Sequence, residues 1–258
     1  MREFDYGVEN GIGHFVFDRP AQRNALTFAM YEGLADVCAA IPSGGEVKAL
    51  IVSGAGDKAF AAGTDISLFR DFSSADDALA YEEKMAGILS TIERCPVPTI
   101  AAMTGACTGG GAAIATVCDI RICDAHLKFG FPIARTLGNC LSAWNLSRLA
   151  DLIGVARLKD IILTNRLIGA DEAERIGLVS SVHTSPQEAR DAALTLATRL
   201  AGHAPLTMRA TKETLRRLQD AASRVDDADM IALCYTSADF REGMTAFLDK
   251  RAPEWTGT

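Results

Sequence analysis

A run of three glycines, Gly109 to Gly111, is the first feature of this chain that could support chemistry. Small apolar residues follow the run as far as Val117, a pattern that predicts a helix beginning at the glycines. A helix N-terminus presents unpaired N–H groups and the positive end of the helix dipole, and glycine lets a bound molecule approach the backbone closely. Close packing of the helix against a strand explains the same glycines without any bound molecule, so the run is a weak signal by itself.

A second run of small residues, Ala59 to Ile66, follows a predicted strand at 48–53 and a polar loop. Backbone can also meet a bound molecule here, because the side chains are too small to prevent it. Two backbone N–H groups that face each other would form an oxyanion hole, which stabilises negative charge on a reacting oxygen. Neither segment establishes such a site alone.

Two common phosphate-binding motifs are excluded at the glycine run. The dinucleotide fingerprint requires Gly or Ala at the sixth position counted from Gly109, where this chain has Ile114. The Walker A motif requires Gly-Lys followed by Ser or Thr, and no such sequence follows the glycines.

The elements that would position these segments alternate between strands and helices. Asn10 and Gly11 separate two short runs, 3–9 and 12–18, and predict a hairpin. Helices are predicted to begin at Thr27 and near Ser74, and buried strands at 98–103, 119–123 and 178–183. From about Ser185 the pattern is helical as far as Asp249. We therefore predict an α/β core at 1–190 and a helical C-terminal region at 191–258.

Composition limits the function classes that remain. The 258 residues carry a net charge of −7, and a protein with this balance is not expected to bind nucleic acid. Residues 95–118 carry no formal charge and are numerous enough to span a bilayer. Pro96, Pro98 and a cluster of glycines divide this stretch, so we interpret it as the buried centre of a soluble protein rather than a membrane span.

The seven cysteines form no CxxC pair and no cluster with histidines, which argues against a zinc site or a disulfide framework. Cys38, Cys107, Cys118 and Cys234 lie among apolar residues and are expected to be buried free thiols in a reducing compartment. The N-terminal residues contain no apolar segment of the secretory type. We expect a cytoplasmic protein without a metal.

Six motifs in order carry a resemblance to a known family: DRPAQRNALT, KAFAAGTDI, PTIAAMTGACTGGGAAIATVCDIRIC, KFGFP, LTNRLIGADEAERIGLVSSV and FREGMTAFLDKRAPEW. Together they span residues 18–255 and resemble the crotonase superfamily, the enoyl-CoA hydratase/isomerase family. The resemblance implies a spiral of ββα units with a helical C-terminal trimerisation region. It also implies an acyl-CoA thioester substrate, fatty acid metabolism, and no cofactor besides the coenzyme A of the substrate.

The resemblance also implies roles for particular residues. The thioester oxygen would lie between the backbone N–H groups of Thr64, the variable position of A-G-x-D, and Gly110, the middle glycine. Residues expected to bind the coenzyme A portion are Arg23, Ala25, Ala62, Asp65, Ile66, Phe247 and Lys250. Arg23 is a candidate partner for a phosphate. Phe247 and Lys250 would cover coenzyme A from the C-terminal helix, in the same or a neighbouring subunit.

This chain departs from the family pattern at its two usual catalytic glutamates. One follows the glycines in G-G-G-x-E, where this chain has Ala113, and the other follows F-G-x-P, where it has Ile133. Neither side chain can transfer a proton, and neither can Ala134, while Arg135 is not a carboxylate. The anion-stabilising part of the site is therefore predicted to be present and the usual acid–base part to be missing.

Other polar residues could approach the acyl group. The loop after Ile133 contributes Arg135, Asn139, Cys140 and Ser142 to a possible acyl pocket lined also by Ala113 and Ile133. No histidine lies near Cys140 in sequence, so we expect a thiol without a catalytic role. Asp71, Glu82 and Glu83 could reach the pocket from the lid side, but a solvated helix face is the expectation for them.

Three functions stay open at this point. The first is an enoyl-CoA hydratase or isomerase, a lyase or isomerase by class. The second is other chemistry through the same enolate: decarboxylation, thioester or C–C hydrolysis, or isomerisation. The third is an acyl-CoA-binding oligomer without catalysis. Phe240, Met244 and Phe247 form an apolar face beyond what the core needs, and with the resemblance they predict a trimer or a dimer of trimers.

Overall fold

The computed structural model of the chain describes residues 3–70, 72, 74–222 and 225–258. The ten strands of the described residues are β1 (Phe4–Glu9), β2 (Ile12–Phe17), β3 (Ala49–Gly54), β4 (Ala59–Ala61), β5 (Thr99–Met103), β6 (Ala106–Thr108), β7 (Ile120–Asp124), β8 (Lys128–Gly130), β9 (Ile168–Gly169) and β10 (Ser181–His183). Two sheets result, one of six strands and one of four.

The helices are α1 (Phe28–Ala40), α2 (Ala75–Glu93), α3 (Gly110–Val117), α4 (Ile133–Thr136), α5 (Ala143–Ile153), α6 (Val155–Thr164), α7 (Ala170–Arg175), α8 (Pro186–Ala201), α9 (Pro205–Ala222), α10 (Ala228–Tyr235) and α11 (Ala238–Leu248). Thr27 caps α1, as predicted, by accepting from the N–H of Met30. Ser74 caps α2 in a capping box with Asp77, which also confirms the predicted start.

The six-stranded sheet has the order β1-β2-β3-β5-β7-β10, and β1 and β2 form the predicted hairpin. Its other pairs are parallel. Asn10 and Gly11 take positive φ angles of 50° and 78° at the turn, a conformation that Asn and Gly tolerate best. The strand predicted at 178–183 is shorter than expected, because Gly177 turns the chain and β10 begins only at Ser181.

The four-stranded sheet has the order β4-β6-β8-β9 and was not predicted. Its strands have two or three residues each, too few for a pattern of alternation to appear in the sequence. This sheet is important for the site, because β4 and β6 lead directly into Ala62–Thr64 and into Gly109.

Helix α8 covers one face of the large sheet. Ala189, Ala193 and Ala197, one helical turn apart, are fully buried in a cluster with sheet residues such as Ile51 and Ile100. Small side chains allow this close approach between helix and sheet. The helix crosses the predicted boundary at 190/191, and the division into 1–190 and 191–258 stays a prediction.

The uncharged stretch 95–118 is divided as predicted into a strand, β5, and a helix, α3, with the short strand β6, which was not predicted, between them. Most of its apolar side chains are buried. No helix of the described residues is long and apolar enough to cross a membrane.

Two predictions about buried side chains need correction. Cys38, Cys107 and Cys118 are buried as predicted, but Cys234 is only half-buried. Phe240, predicted to belong to a surplus apolar face, is 1% exposed and packs against Tyr235 with ring centroids 4.9 Å apart. Of the same face, Met244 is half-buried and only Phe247 is exposed. An amphipathic pattern identified the apolar side of α11 but could not show that Phe240 packs within this chain.

Candidate active site

A cavity of about 170 Å³ lies where α1, α2, α3 and α10 meet the ends of the small sheet. It brings together predicted residues from distant parts of the chain: Ala62, Thr64, Ile66, Gly110, Ala113, Ile133, Asn139, Cys140 and Phe247. Most of the other lining side chains are apolar or aromatic, among them Phe69, Met85 and Leu89. A cavity of this kind, apolar with a few polar groups, is typical of small-molecule sites.

The backbone at Thr64 is held from one side only. Leu26 donates its N–H to the carbonyl of Gly63 at 2.8 Å, and its own carbonyl accepts from the N–H of Asp65 at 2.8 Å. Successive peptide groups of an extended segment point in opposite directions, so the N–H of Thr64 points away from Leu26. None of the described hydrogen bonds uses it, and it is free to donate to a bound molecule.

Gly110 is the first residue of α3, and its N–H has no partner in its own helix. A β-carbon at this position would lie 1.7 Å from the Tyr31 hydroxyl and 2.8 Å from Thr64 Oγ1, so only glycine fits. At Gly111 the conflict would be with the Ala61 carbonyl, at 2.3 Å. Helix–strand packing therefore explains Gly111, whereas Gly110 lies at the cavity next to Thr64.

Tyr31, a residue that was not predicted to belong to the site, places a hydroxyl beside these two donors. The side chain is fully buried, and its Oη lies 2.8 Å from Thr64 Oγ1. Burial raises the pKa of Tyr31, so the phenol keeps its proton and can donate. The sequence does offer a signal for it, because Tyr31 lies beside Met30 and three residues before Leu34 and so shares the buried face of α1.

Ala113 and Ile133, at the two usual glutamate positions, both line the cavity and are 8% and 9% exposed. Their side chains leave that part of the cavity apolar. Asn139 and Cys140 line it too, and burial raises the pKa of the Cys140 thiol, which makes it a poor nucleophile.

The expectation of a solvated face at Glu82 and Glu83 is wrong for Glu82. Glu83 is exposed, whereas Glu82 is 8% exposed and lines the cavity. Its Oε1 accepts a hydrogen bond from Tyr235 Oη at 2.6 Å. Burial raises the pKa of Glu82, and hydrogen bonds from Tyr235 and Ser142 oppose that shift. Asp71, the third acidic candidate, lies outside the described residues.

The spacing along α2 could have revealed this burial. Glu82 lies four residues after Ala78 and three before Met85, both buried, and therefore shares their face of the helix. The adjacent charge of Glu83 concealed the pattern.

Several predicted residues do not line the cavity. Arg23 is exposed in a separate surface cleft with Lys58 and Lys128. Ala25 and Asp65 both contact Arg19 instead. Arg19 Nη1 donates to the carbonyl oxygen of Ala25 at 2.7 Å and to a carboxylate oxygen of Asp65 at 3.0 Å. The remaining three are Arg135 and Lys250, which are exposed, and Ser142, which is buried and accepts from Asn145 at 3.1 Å. Their roles in binding stay predictions.

Comparison with known proteins identifies the family of this chain. A family model described as enoyl-CoA hydratase/isomerase matches residues 7–258. The chain belongs to this family. The short-chain-enoyl-CoA hydratase of Clostridium acetobutylicum is 32% identical over 254 residues, which cover 95% of this chain and 94% of that protein.

Solved structures of the family share the fold. A crystal structure of an enoyl-CoA hydratase/carnithine racemase from Magnetospirillum magneticum is 34% identical with a TM-score of 0.78, covering 100% of this chain and 97% of that one. Methylmalonyl-CoA decarboxylase in complex with 2-nitronate-propionyl-CoA is 27% identical with a TM-score of 0.89, covering 100% and 99%. The α/β crotonase fold with a helical C-terminal region is therefore established for this chain.

Proposed function

We propose that this chain binds an acyl-CoA thioester with its carbonyl oxygen between the N–H groups of Thr64 and Gly110, and that it stabilises the enolate formed there. Membership of the family supports an acyl-CoA substrate. The observation that carries the proposal is a pair of backbone N–H groups at an apolar cavity, neither of which donates in any described hydrogen bond.

Enolate formation places negative charge on the thioester oxygen, and two fixed donors with a helix N-terminus stabilise that charge. Removal of one such donor typically costs about 3–4 kcal/mol of activation free energy. Of the proposed contacts to coenzyme A, Ala62, Ile66 and Phe247 lie at the same cavity. Arg23 is exposed beside Lys58 and Lys128, a setting suited to a phosphate.

Efficient hydration of an enoyl-CoA is not part of the proposal. Hydration needs a base for water and an acid for carbon, and each typically contributes about 10²–10⁴-fold. With Ala113 and Ile133 at the usual positions of these groups, we expect crotonyl-CoA hydration at least about a hundred-fold slower than in a relative that has both glutamates.

Decarboxylation of a malonyl-type thioester is the second candidate. The structure with a TM-score of 0.89 is a decarboxylase, and its nitronate compound carries negative charge next to the thioester, as an enolate does. Loss of CO₂ leaves the electron pair that forms the enolate, so this reaction needs no base at Ala113 or Ile133.

Two measurements test the proposal together. Loss of the enoyl thioester absorbance of crotonyl-CoA measures hydration, and calorimetry with butyryl-CoA measures binding. We expect weak hydration and clear binding, with methylmalonyl-CoA turnover deciding the second candidate. Absence of binding would overturn the acyl-CoA assignment, and hydration at the rate of a two-glutamate relative would overturn the account of the cavity.

We also propose that the chain assembles as a trimer or a dimer of trimers. The C-terminal region exposes large apolar side chains, namely Leu206, Leu215, Leu218, Met230, Leu233, Phe247, Leu248 and Trp255. Large apolar side chains exposed in this number in one region of a chain are more typical of an interface between subunits than of a free surface. Light scattering at micromolar concentration is expected to give a mass of three or six chains, and a monomer would refute the proposal.

A further inference from the structure

Glu82 is the only carboxylate among the described residues that line the cavity, and these residues include no lysine, arginine or histidine. Among the described lining residues, the groups that titrate are therefore Glu82, three tyrosines and Cys140. The carboxylate enters from α2, on a different side from the usual glutamate positions at Ala113 and Ile133.

The surroundings of Glu82 form a chain of hydrogen bonds. Tyr235 donates to Glu82 Oε1 at 2.6 Å, and Asn139 Nδ2 donates to Tyr235 Oη at 3.2 Å. Asn139 Oδ1 is buried and has no partner among the described residues. Buried polar atoms are nearly always hydrogen-bonded, so an acceptor without a partner is unusual and marks Asn139 as a polar residue not satisfied by the packing around it.

We propose that Glu82 is the catalytic residue that removes and returns the proton at Cα of the bound acyl-CoA, with Tyr235 and Asn139 as positioning residues. This inference rests on the proposed function. The Cα–H bond breaks, and the proton goes to a carboxylate oxygen of Glu82. The electron pair forms the Cα=C bond of the enolate, while the carbonyl pair moves to the oxygen held by Thr64 and Gly110. Return of the proton reverses each change, and no oxidant or reductant is needed.

The titration of the neighbouring groups favours Glu82 over the alternatives. Burial raises the pKa of Tyr31, Tyr81 and Tyr235 above 10 and that of Cys140 above 9, so these groups keep their protons near neutrality. Burial raises the pKa of Glu82 from 4.5, and the charge of Asp227 adds to the shift while the Tyr235 and Ser142 hydroxyls oppose it. A carboxylate tuned upward is a stronger base than an exposed one.

The first experiment follows exchange of the Cα protons of butyryl-CoA in D₂O by NMR. We expect Glu82→Gln to slow exchange by about 10²-fold or more while calorimetric binding of butyryl-CoA stays within about threefold. Glu83→Gln, on the exposed neighbouring residue, is the matched control and should exchange at the wild-type rate. If Glu82→Gln does not fold, Glu82→Asp gives the same test, because a shortened carboxylate should slow exchange and retain binding.

The outcomes separate this inference from the proposed function. Exchange at the wild-type rate in Glu82→Gln overturns the role of Glu82. Binding without any exchange in the wild-type protein also overturns it, while leaving acyl-CoA binding intact. Failure of the wild-type protein to bind butyryl-CoA overturns the proposed function itself.

The second experiment tests Tyr235 as a positioning residue through the pH profile of exchange. The Tyr235 hydroxyl donates to Glu82 and so favours its ionised form. Tyr235→Phe is therefore expected to move the midpoint of the profile to higher pH. A merely structural role would lower stability and leave the midpoint in place, and that result would remove Tyr235 from the proposal.

Discussion

The two sides of the cavity are built by different means. The backbone wall, formed by Thr64 and Gly110, presents N–H groups fixed by a bridge to Leu26 and by the start of α3. The side-chain wall, formed by Glu82, Asn139 and Tyr235, presents groups from α2, the loop before α5 and α10. The backbone wall depends on the path of the chain, whereas the side-chain wall depends on residue identity. A protein built in this way can keep the backbone groups proposed to stabilise an anion while the side chains proposed to transfer protons change.

The largest effect is expected from damage to the backbone wall. Gly110→Pro removes one donor, and Gly110→Ala keeps it, so their comparison isolates the N–H group. Both should be made in a background that carries Tyr31→Phe and Thr64→Ala, because the Tyr31 hydroxyl and Thr64 Oγ1 would both lie too close to a β-carbon at this position. Thr64→Ala keeps the backbone N–H of position 64. We expect Cα exchange of butyryl-CoA to be about 10²–10³-fold slower in the Pro variant than in the Ala variant. Equal exchange rates in the Pro and Ala variants would show that the thioester oxygen does not bind at the Gly110 N–H.

A smaller effect is expected at the hydroxyl that lies beside the backbone wall. Tyr31→Phe removes a buried donor 2.8 Å from Thr64 Oγ1 and leaves both N–H groups in place. A neutral hydrogen bond contributes about 0.5–1.5 kcal/mol, so exchange should slow by about tenfold or less. If Tyr31→Phe slows exchange more than the loss of the Gly110 N–H does, the Tyr31 hydroxyl is the more important of the two donors.

The smallest effect concerns stability and reports on the side-chain wall without any substrate. Burial raises the pKa of Glu82 in the folded protein above 4.5, so the folded state binds the proton more readily than the unfolded state. This group therefore contributes a loss of stability as pH rises from about 4.5 through the raised pKa. Glu82→Gln removes the loss, and its stability relative to wild type should increase across that window in urea unfolding.

Burial also raises the pKa of other groups, such as the Glu93 carboxyl. These groups are present in both the wild type and Glu82→Gln, so their contributions cancel in the difference between the two free energies of unfolding. If the free energies of unfolding of wild type and Glu82→Gln change in parallel from pH 4.5 to 8, Glu82 is not desolvated. The side-chain wall would then lack a carboxylate of raised pKa.

Much of the fold could be predicted from the sequence where local signals were strong. The Asn10-Gly11 turn, the Thr27 cap and the Ser74–Asp77 capping box all depend on neighbouring residues and are found where predicted. The small sheet could not be found in this way, because strands as short as Ala59–Ala61 are held by pairing with distant segments.

The site divides along the same line. Thr64, Gly110, Ala113 and Ile133 were identified from motifs, and the structure brings them to one cavity. Glu82 was assigned to a solvated face and Tyr31 was missed, because the importance of both arises from burial beside residues far away in sequence, as Tyr235 is from Glu82. Phe240 was misplaced for the same reason, since only the folded chain shows which apolar residues find partners within it.

The bridge between Leu26 and the segment around Thr64 has a consequence for how this position can evolve. Hydrogen bonds made by Gly63 and Asp65 aim the Thr64 amide, so its direction does not depend on the Thr64 side chain. Selection at position 64 should therefore act on the course of the main chain and only weakly on residue type. A saturation library is expected to tolerate many residues at position 64, to reject proline there because it removes the amide proton, and to tolerate almost nothing at position 110.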